Sequence, residues 1–181
     1  MITKKIAQAG NPILRKKADL VKDFKSQKTK KTIEDLIDTM RSSSLVGIAA
    51  PQIGRSFRIF ITEIRKTENR RIEDKDELRV FINPRIVSFS KKTSIDYEGC
   101  GSVGNAHIFG PVKRADEITI EAQNEKGEKF VLKAQNFLAR VIQHEFDHIN
   151  GIIFTDKISD FKKIMSRDEY RKISKSNKIF K

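Results

Sequence analysis

Apolar positions along this chain follow two different periods, and the switches between them mark its elements. Ile33, Leu36, Ile37 and Met40 recur at the three-and-four spacing of an amphipathic helix, which predicts a first helix from about Ser26 to Ser43. The segment SLVGIAAPQIG that follows contains Gly47, two alanines, Pro51 and Gly54, and reads as a functional loop that other backbone can approach closely. FRIFITEI, from Phe57 to Ile64, opens a strand-rich middle, and the charged stretch from Arg65 to Glu77 reads as a solvated loop or hairpin tip. RVFINPRIVSF is expected to break in a turn at Asn83-Pro84, with a hairpin through Ser90, Lys91 and Lys92 leading back toward Tyr97.

EITIEA, from Glu117 to Ala122, alternates as a half-buried strand does, and KFVLKA answers it across a turn that holds Gly127, so the two predict a hairpin. The period then returns to that of a helix. Phe137, Leu138, Val141, Ile142, Phe146 and Ile149 place a helix from about Gln135 to Asn150, and Gly151 is its stop. From about Ile158 a basic tail mixes Phe161, Ile164, Met165 and Tyr170 with many lysines and arginines, a pattern compatible with a short helix or a frayed extension. The elements together predict one α+β domain over residues 1–181, with antiparallel strands packed around the second helix.

Composition narrows the setting. A chain of 181 residues is long enough to bury a core, and the apolar share of 38% is spread over all segments. The net charge of +13 favours polyanionic surroundings such as ribosomal RNA, although a lysine-rich composition has other origins. No stretch has the length of a membrane span and the first residues do not form a signal peptide, so a cytoplasmic enzyme is expected. Neither a membrane nor DNA is expected as a partner, and a monomer is the favoured state. With Cys100 as the one cysteine, no intrachain disulfide can form, and a thiol between two glycines is buried, reactive or ligating.

The chemistry concentrates in QHEFDHING. His144 and His148 stand four residues apart, one helical turn, so both imidazoles face the same way and can grip one metal ion. Glu145 emerges beside the first of them, where it can accept a proton from a water on that ion without ligating it. Such residues can also be mere helix-end polarity, but this helix is apolar enough to be buried, and buried charges need partners. A catalytic site of this kind takes three protein donors, so a third ligand is required. Cys100, flanked by Gly99 and Gly101, is the first candidate and His107 the competing one. In the glycine-rich segment, Gln52 can donate its amide hydrogens to an oxyanion, while Val46 and Gly47 offer backbone groups to a peptide added as a strand.

The segments GIAAPQ near residue 50, EGCGS near residue 100 and QHEFDH near residue 145 resemble, in order and separation, the three motifs of the peptide deformylase family. LARVIQHEFDHINGIIF is similar to that family as well. The resemblance implies removal of the formyl group from N-formylmethionyl peptides by a divalent metal ion, usually Fe2+, with Zn2+, Ni2+ or Co2+ able to take the same ligands Cys100, His144 and His148. It implies Glu145 as the proton shuttle, Gln52 and the Gly101 backbone N–H as donors to the oxyanion, and substrate contacts at Val46 and Gly47. Phe137, Val141 and the aliphatic stem of Arg140 are expected to line the methionine pocket. Asp147 would support the ligands, and Arg114 would pair with Glu98 to hold the cysteine loop.

Three positions depart from the family pattern. Leu45 stands where the glycine loop has its first glycine, Gly101 replaces a common leucine, and Phe109 stands where an arginine is expected near the mouth of the cleft. All three touch substrate recognition and none touches the metal or the base. They leave a further reading, an amide hydrolase with another acyl preference, and the basic tail leaves another, a basic ribosome-binding module whose metal is structural.

Overall fold

The structure is a computed structural model that describes residues 3–66 and 75–175. Its first helix, α1 (Gln27–Ser42), starts where the sequence predicts, because the Ser26 side chain accepts a hydrogen bond from the Thr29 amide and caps the end. The strands are β1 (Gly47–Ala49), β2 (Ile59–Ile64), β3 (Asp76–Phe89), β4 (Thr93–Gly99), β5 (Ile108–Ala115), β6 (Glu117–Gln123) and β7 (Lys129–Gln135). Then come the second helix, α2 (Asn136–His148), a two-residue strand β8 (Met165–Ser166) and a third helix, α3 (Arg167–Lys175).

All pairings within the two sheets are antiparallel: five strands in the order β1-β2-β3-β6-β7, and three in the order β4-β5-β8. β2 explains why FRIFITEI is apolar on successive residues. Ile59 and Ile61 pack with Leu36 and Met40 of α1, whereas Phe60 packs on the opposite side with Phe81, Ala139 and Ile142 beneath α2. β2 is therefore buried on both faces, whereas β7 at the far edge exposes Lys129, Val131, Lys133 and Gln135 on one of them. α2 also contacts β5 of the smaller sheet, so it lies between the two sheets, as the α+β reading expects. The hairpin of β6 and β7 pairs Glu117 with Gln135 through Gln123 with Lys129, and Gly127 turns it at φ 85°.

Three local expectations are corrected. The glycine-rich segment is not wholly a loop: Gly47–Ala49 is a buried edge strand, and Ala50–Ile53 is a 3-10 turn. Asn83-Pro84 does not end a strand, because β3 runs through it with a register shift between Ile82 and Arg85. Asn83 takes φ 50°, and its side-chain amide exchanges two hydrogen bonds, each of 2.9 Å, with the backbone of Val21, which holds the bulge. Nor do β3 and β4 form a hairpin. β3 pairs with β6 and β4 with β5, so Ser90 to Lys92 carry the chain from one sheet to the other. The loop expected within Arg65 to Glu77 falls mostly outside the described residues.

Within the described residues the tail is folded onto the smaller sheet. Ile158 bridges to Val112, β8 joins the edge of β5, and α3 follows directly. No helix among the described residues is long and apolar enough to cross a membrane.

Candidate metal centre

The three segments singled out in the sequence converge on one cavity. α2 brings His144, Glu145 and His148, the end of β4 delivers Cys100, and the turn after β1 delivers Gln52. Ligand atoms of Cys100, His144 and His148 all lie within 4.8 Å of one another, and Cys100 Sγ is 3.2 Å from His148 Nε2. Bond lengths of about 2.3 Å to sulfur and about 2.0 Å to nitrogen in a tetrahedral shell put such donors roughly 3.5 Å apart, so the set fits one divalent ion. His107 lies exposed at the start of β5 and does not belong to the group.

The surrounding polar groups orient these donors. Glu98 Oε2 is 2.8 Å from His144 Nδ1, which leaves Nε2 of that ring for the centre. Glu98 also accepts both prongs of Arg114 at 2.9 Å and one nitrogen of Arg140 at 2.9 Å. Arg114 reaches on to Asp147 at 2.5 Å, and Lys157 meets the other oxygen of Asp147 at 3.0 Å. Burial opposes the charge on Glu98, but hydrogen bonds from His144 and Arg114 outweigh it and hold this carboxyl well below the usual range. Burial likewise opposes a charge on His144, yet its contacts with Cys100 and Glu98 push it well above an ordinary histidine. Burial and the neighbouring His144 push His148 well below.

Cys100 is buried and meets hydrogen-bond donors that suit a thiolate. Gln52 Nε2 lies 3.5 Å from its sulfur and the Ser102 amide 3.4 Å. Gln52 itself is fixed, because its Oε1 accepts from the Ala49 amide at 2.8 Å and its Nε2 also reaches Ser102 Oγ at 3.2 Å. Glu145 is different. Burial pushes its carboxyl up to about 7, and Oε2 is buried without a hydrogen-bond partner among the described residues.

β1 runs directly over this carboxylate. A Cβ built at Gly47 would stand 2.6 Å from Glu145 Oε1 and 2.9 Å from Val141 Cγ1, so only glycine allows the strand to lie there. The cavity, about 300 Å³, is walled by Leu45, Val46, Gly47, Gln52, Gly101, Phe137, Arg140, Val141, His144 and Glu145 among others. Each sequence-expected substrate contact thus borders it. Arg140 does so with its guanidinium committed elsewhere, to Glu98, the Val112 carbonyl at 2.9 Å and the Ser94 carbonyl at 3.0 Å.

Sequence reasoning missed several participants. Ser102 was within reach, since it follows the cysteine by two residues. The N-terminal segment was not: Ala7 donates to the Gln52 carbonyl, Ala9 to the Ser102 carbonyl and Gln8 to the Gly101 carbonyl, which ties two motifs together. A short helix is one reading of the tail, but its place at the cavity, as α3, was missed as well. Arg167, Tyr170, Arg171 and Ser174 line the cavity, and their spacing of three, four and seven residues was the available signal.

Known proteins resemble this chain in sequence and in fold. The sequence profile described as polypeptide deformylase matches residues 3–164. The chain is 39% identical over 166 residues to the peptide deformylase of Pseudothermotoga lettingae, covering 92% of this chain and 89% of that protein. It is 44% identical over 144 residues to peptide deformylase 1 of Clostridium perfringens, covering 80% and 90%. The crystal structure of the Thermotoga maritima peptide deformylase superposes with a TM-score of 0.78 at 36% identity, covering 88% of this chain and all (100%) of that one. A Met-Ala-Ser bound class I type b peptide deformylase from Acinetobacter baumannii superposes at 0.79 and 32% identity, covering 87% and 100%. A profile that spans most of the chain, joined to these relatives, settles the identity: the chain belongs to the peptide deformylase family, metalloenzymes that remove the N-formyl group from nascent polypeptides.

Proposed function

We propose that Cys100, His144 and His148 hold one divalent ion, Fe2+ in the cell, and that Glu145 moves the proton of the deformylation reaction. The observation that carries this reading is the buried, unpartnered Oε2 of Glu145 beside three mutually close ligand atoms. When bound, the ion supplies Lewis acidity and lowers the pKa of water. Two imidazoles and a thiolate suit ferrous iron and equally Zn2+, Ni2+ or Co2+.

The protein's own groups do the rest. Glu145 takes a proton from the attacking water as the new C–O bond forms at the formyl carbon. Gln52 Nε2 and the Gly101 N–H hydrogen-bond the oxygen that gains charge. Glu145 then returns the proton to the methionine nitrogen as the C–N bond breaks, releasing formate and a free amine. β1 is the edge of the larger sheet, so Gly47 has backbone groups with which an extended peptide can pair, beside Val46, whose carbonyl already accepts from the Glu63 amide at 2.9 Å. Phe137 and Val141, with the stem of Arg140, receive the methionine side chain. That the Acinetobacter baumannii relative binds Met-Ala-Ser supports a peptide of this kind in the cleft.

The test is metal content and hydrolysis of a formyl-Met peptide on anaerobically purified protein beside Glu145→Gln. The variant is expected to keep its metal and lose turnover; undiminished turnover would overturn the role of Glu145, and preference for acetyl over formyl would overturn the substrate. We place the enzyme in the cytoplasm as a monomer. Its charge of +13 favours contact with the ribosome, which salt-sensitive co-sedimentation checks.

A further inference from the structure

The sulfur of Cys100 meets two hydrogen-bond donors, the Gln52 side chain at 3.5 Å and the Ser102 amide at 3.4 Å. Both donors are fastened by one short segment near the start of the chain. Ala7 donates to the Gln52 carbonyl at 2.8 Å, and Ala9 donates to the Ser102 carbonyl at 2.7 Å. Between them, Gln8 sends its side chain across the cysteine loop: Nε2 donates to the Gly101 carbonyl at 2.9 Å, and Oε1 accepts from the Asn105 amide at 3.2 Å. A bond from Nε2 to the Ile6 carbonyl at 3.2 Å steadies the amide group itself.

Gln8 acts on the sulfur through a single peptide. The Gly101 carbonyl and the Ser102 N–H belong to one planar trans unit, so they point in opposite directions. With its carbonyl held by Gln8, this unit aims its N–H at Cys100 Sγ. Rotation of the plane changes ψ of Gly101 and φ of Ser102, and a residue without a Cβ resists that rotation least. The preceding peptide is secured separately, because the Cys100 carbonyl accepts from the Val103 and Ala106 amides at 3.0 Å each. Gln8 supplies the matching restraint on the carbonyl of Gly101.

We propose that Gln8 is a positioning residue of the metal centre: by holding the Gly101 carbonyl it keeps the Ser102 N–H on the Cys100 sulfur and strengthens the hold of that thiolate on the ion. This inference rests on the reading of Cys100 as a metal ligand. A donor aimed at the sulfur favours its deprotonated form, which is the form that binds a metal, and fixes its direction.

The experiment compares the full chain with Gln8→Met, which keeps the length of the side chain and removes both polar atoms, and with Gln8→Glu, which keeps the acceptor for Asn105 and loses the donor to Gly101. Both variants are expected to bind Zn2+ about tenfold more weakly in competition with a chelator. In the Co2+-loaded protein the sulfur-to-metal charge-transfer absorption is expected to move to longer wavelength, because a thiolate that has lost a hydrogen bond gives up an electron more readily. In the metal-free protein the Ser102 amide is expected to exchange its hydrogen about tenfold faster relative to amides of β5. Wild-type zinc affinity in either variant, or an unchanged relative exchange rate at Ser102, would overturn the proposal. A lower melting temperature with zinc affinity and Ser102 exchange intact would make Gln8 a structural tie and overturn it equally. Failure of the wild type to bind one zinc ion would count against the metal reading instead, and Ser102 exchange in the metal-free protein then decides on its own whether Gln8 sets this peptide.

Discussion

A Cβ placed on Gly101 would lie 3.4 Å from Leu45 Cδ1, and Ile6 Cδ1 would be closer still at 3.2 Å. Leu45 and Gly101, two positions that the sequence reading sets apart from the family pattern, therefore meet in space. Leu45 and Ile6 border the room that a side chain at Gly101 would need, so the cleft keeps an apolar wall that now comes from the β1 side and from the N-terminal segment.

This pairing predicts non-additive mutations. Gly101→Leu is expected to overpack the wall and destabilise the protein by about 1–3 kcal/mol. Leu45→Gly in the same chain is expected to recover much of that loss, leaving a coupling of about 1 kcal/mol or more in a urea-denaturation cycle. Additive effects would mean that the two positions do not share the space.

Gly47 is a second position where side-chain volume is restricted. Gly47→Ala introduces an atom against Glu145 Oε1 and Val141, so β1 or the carboxylate must shift. Turnover of a formyl-Met peptide is expected to fall about 100-fold with metal content unchanged, since displacement of a catalytic group by about 1 Å has that order of effect. Wild-type kcat in this variant would refute the close approach.

Glu98 is expected to be costly to neutralise. In Glu98→Gln, Arg114 and Arg140 remain buried without the carboxylate that faces both, a loss of about 3–5 kcal/mol by chemical denaturation. The same change frees the His144 ring from its anchor, so metal affinity is expected to drop roughly 10- to 100-fold.

A pH-dependent contribution comes from Glu63, which accepts two hydrogen bonds from Arg41 and one from Arg65, while Arg65 also holds the Leu45 carbonyl at 3.0 Å. The Arg41 hydrogen bond, chiefly, draws the Glu63 carboxyl below its ordinary value of 4.5. A depressed folded pKa gives stability that is present above 4.5 and lost as pH falls through the lower folded value. Glu63→Gln is accordingly expected to cost about 1 kcal/mol near neutral pH and progressively less in acid. Thermal melts of both proteins across that range measure the difference.

The sequence by itself determined the local elements and singled out the residues that meet in the candidate centre. Ser26, the apolar stripe of α1, the β6–β7 alternation and the helix with His144, Glu145 and His148 are local patterns, set by backbone geometry over a few residues, and the structure reproduces them. The resemblance of three short motifs to one family was legible for the same reason. What the sequence read wrongly were connections. Asn83-Pro84 has the composition of a turn, but Val21, 62 residues away, satisfies the Asn83 side chain and turns it into a bulge. β3 and β4 are neighbours in the chain, yet each pairs better with a strand of its own sheet.

Only the tertiary structure decided which side chains share a space. Cys100 took precedence over His107 because β4 ends against α2, whereas His107 faces outward at the start of β5. Leu45 and Gly101, 56 positions apart in the numbering, became one wall, and the basic tail became part of the cleft because Tyr170 found the face of Phe109. Such pairings depend on the volumes and charges of residues distant in sequence, and close packing, not local propensity, selects among them.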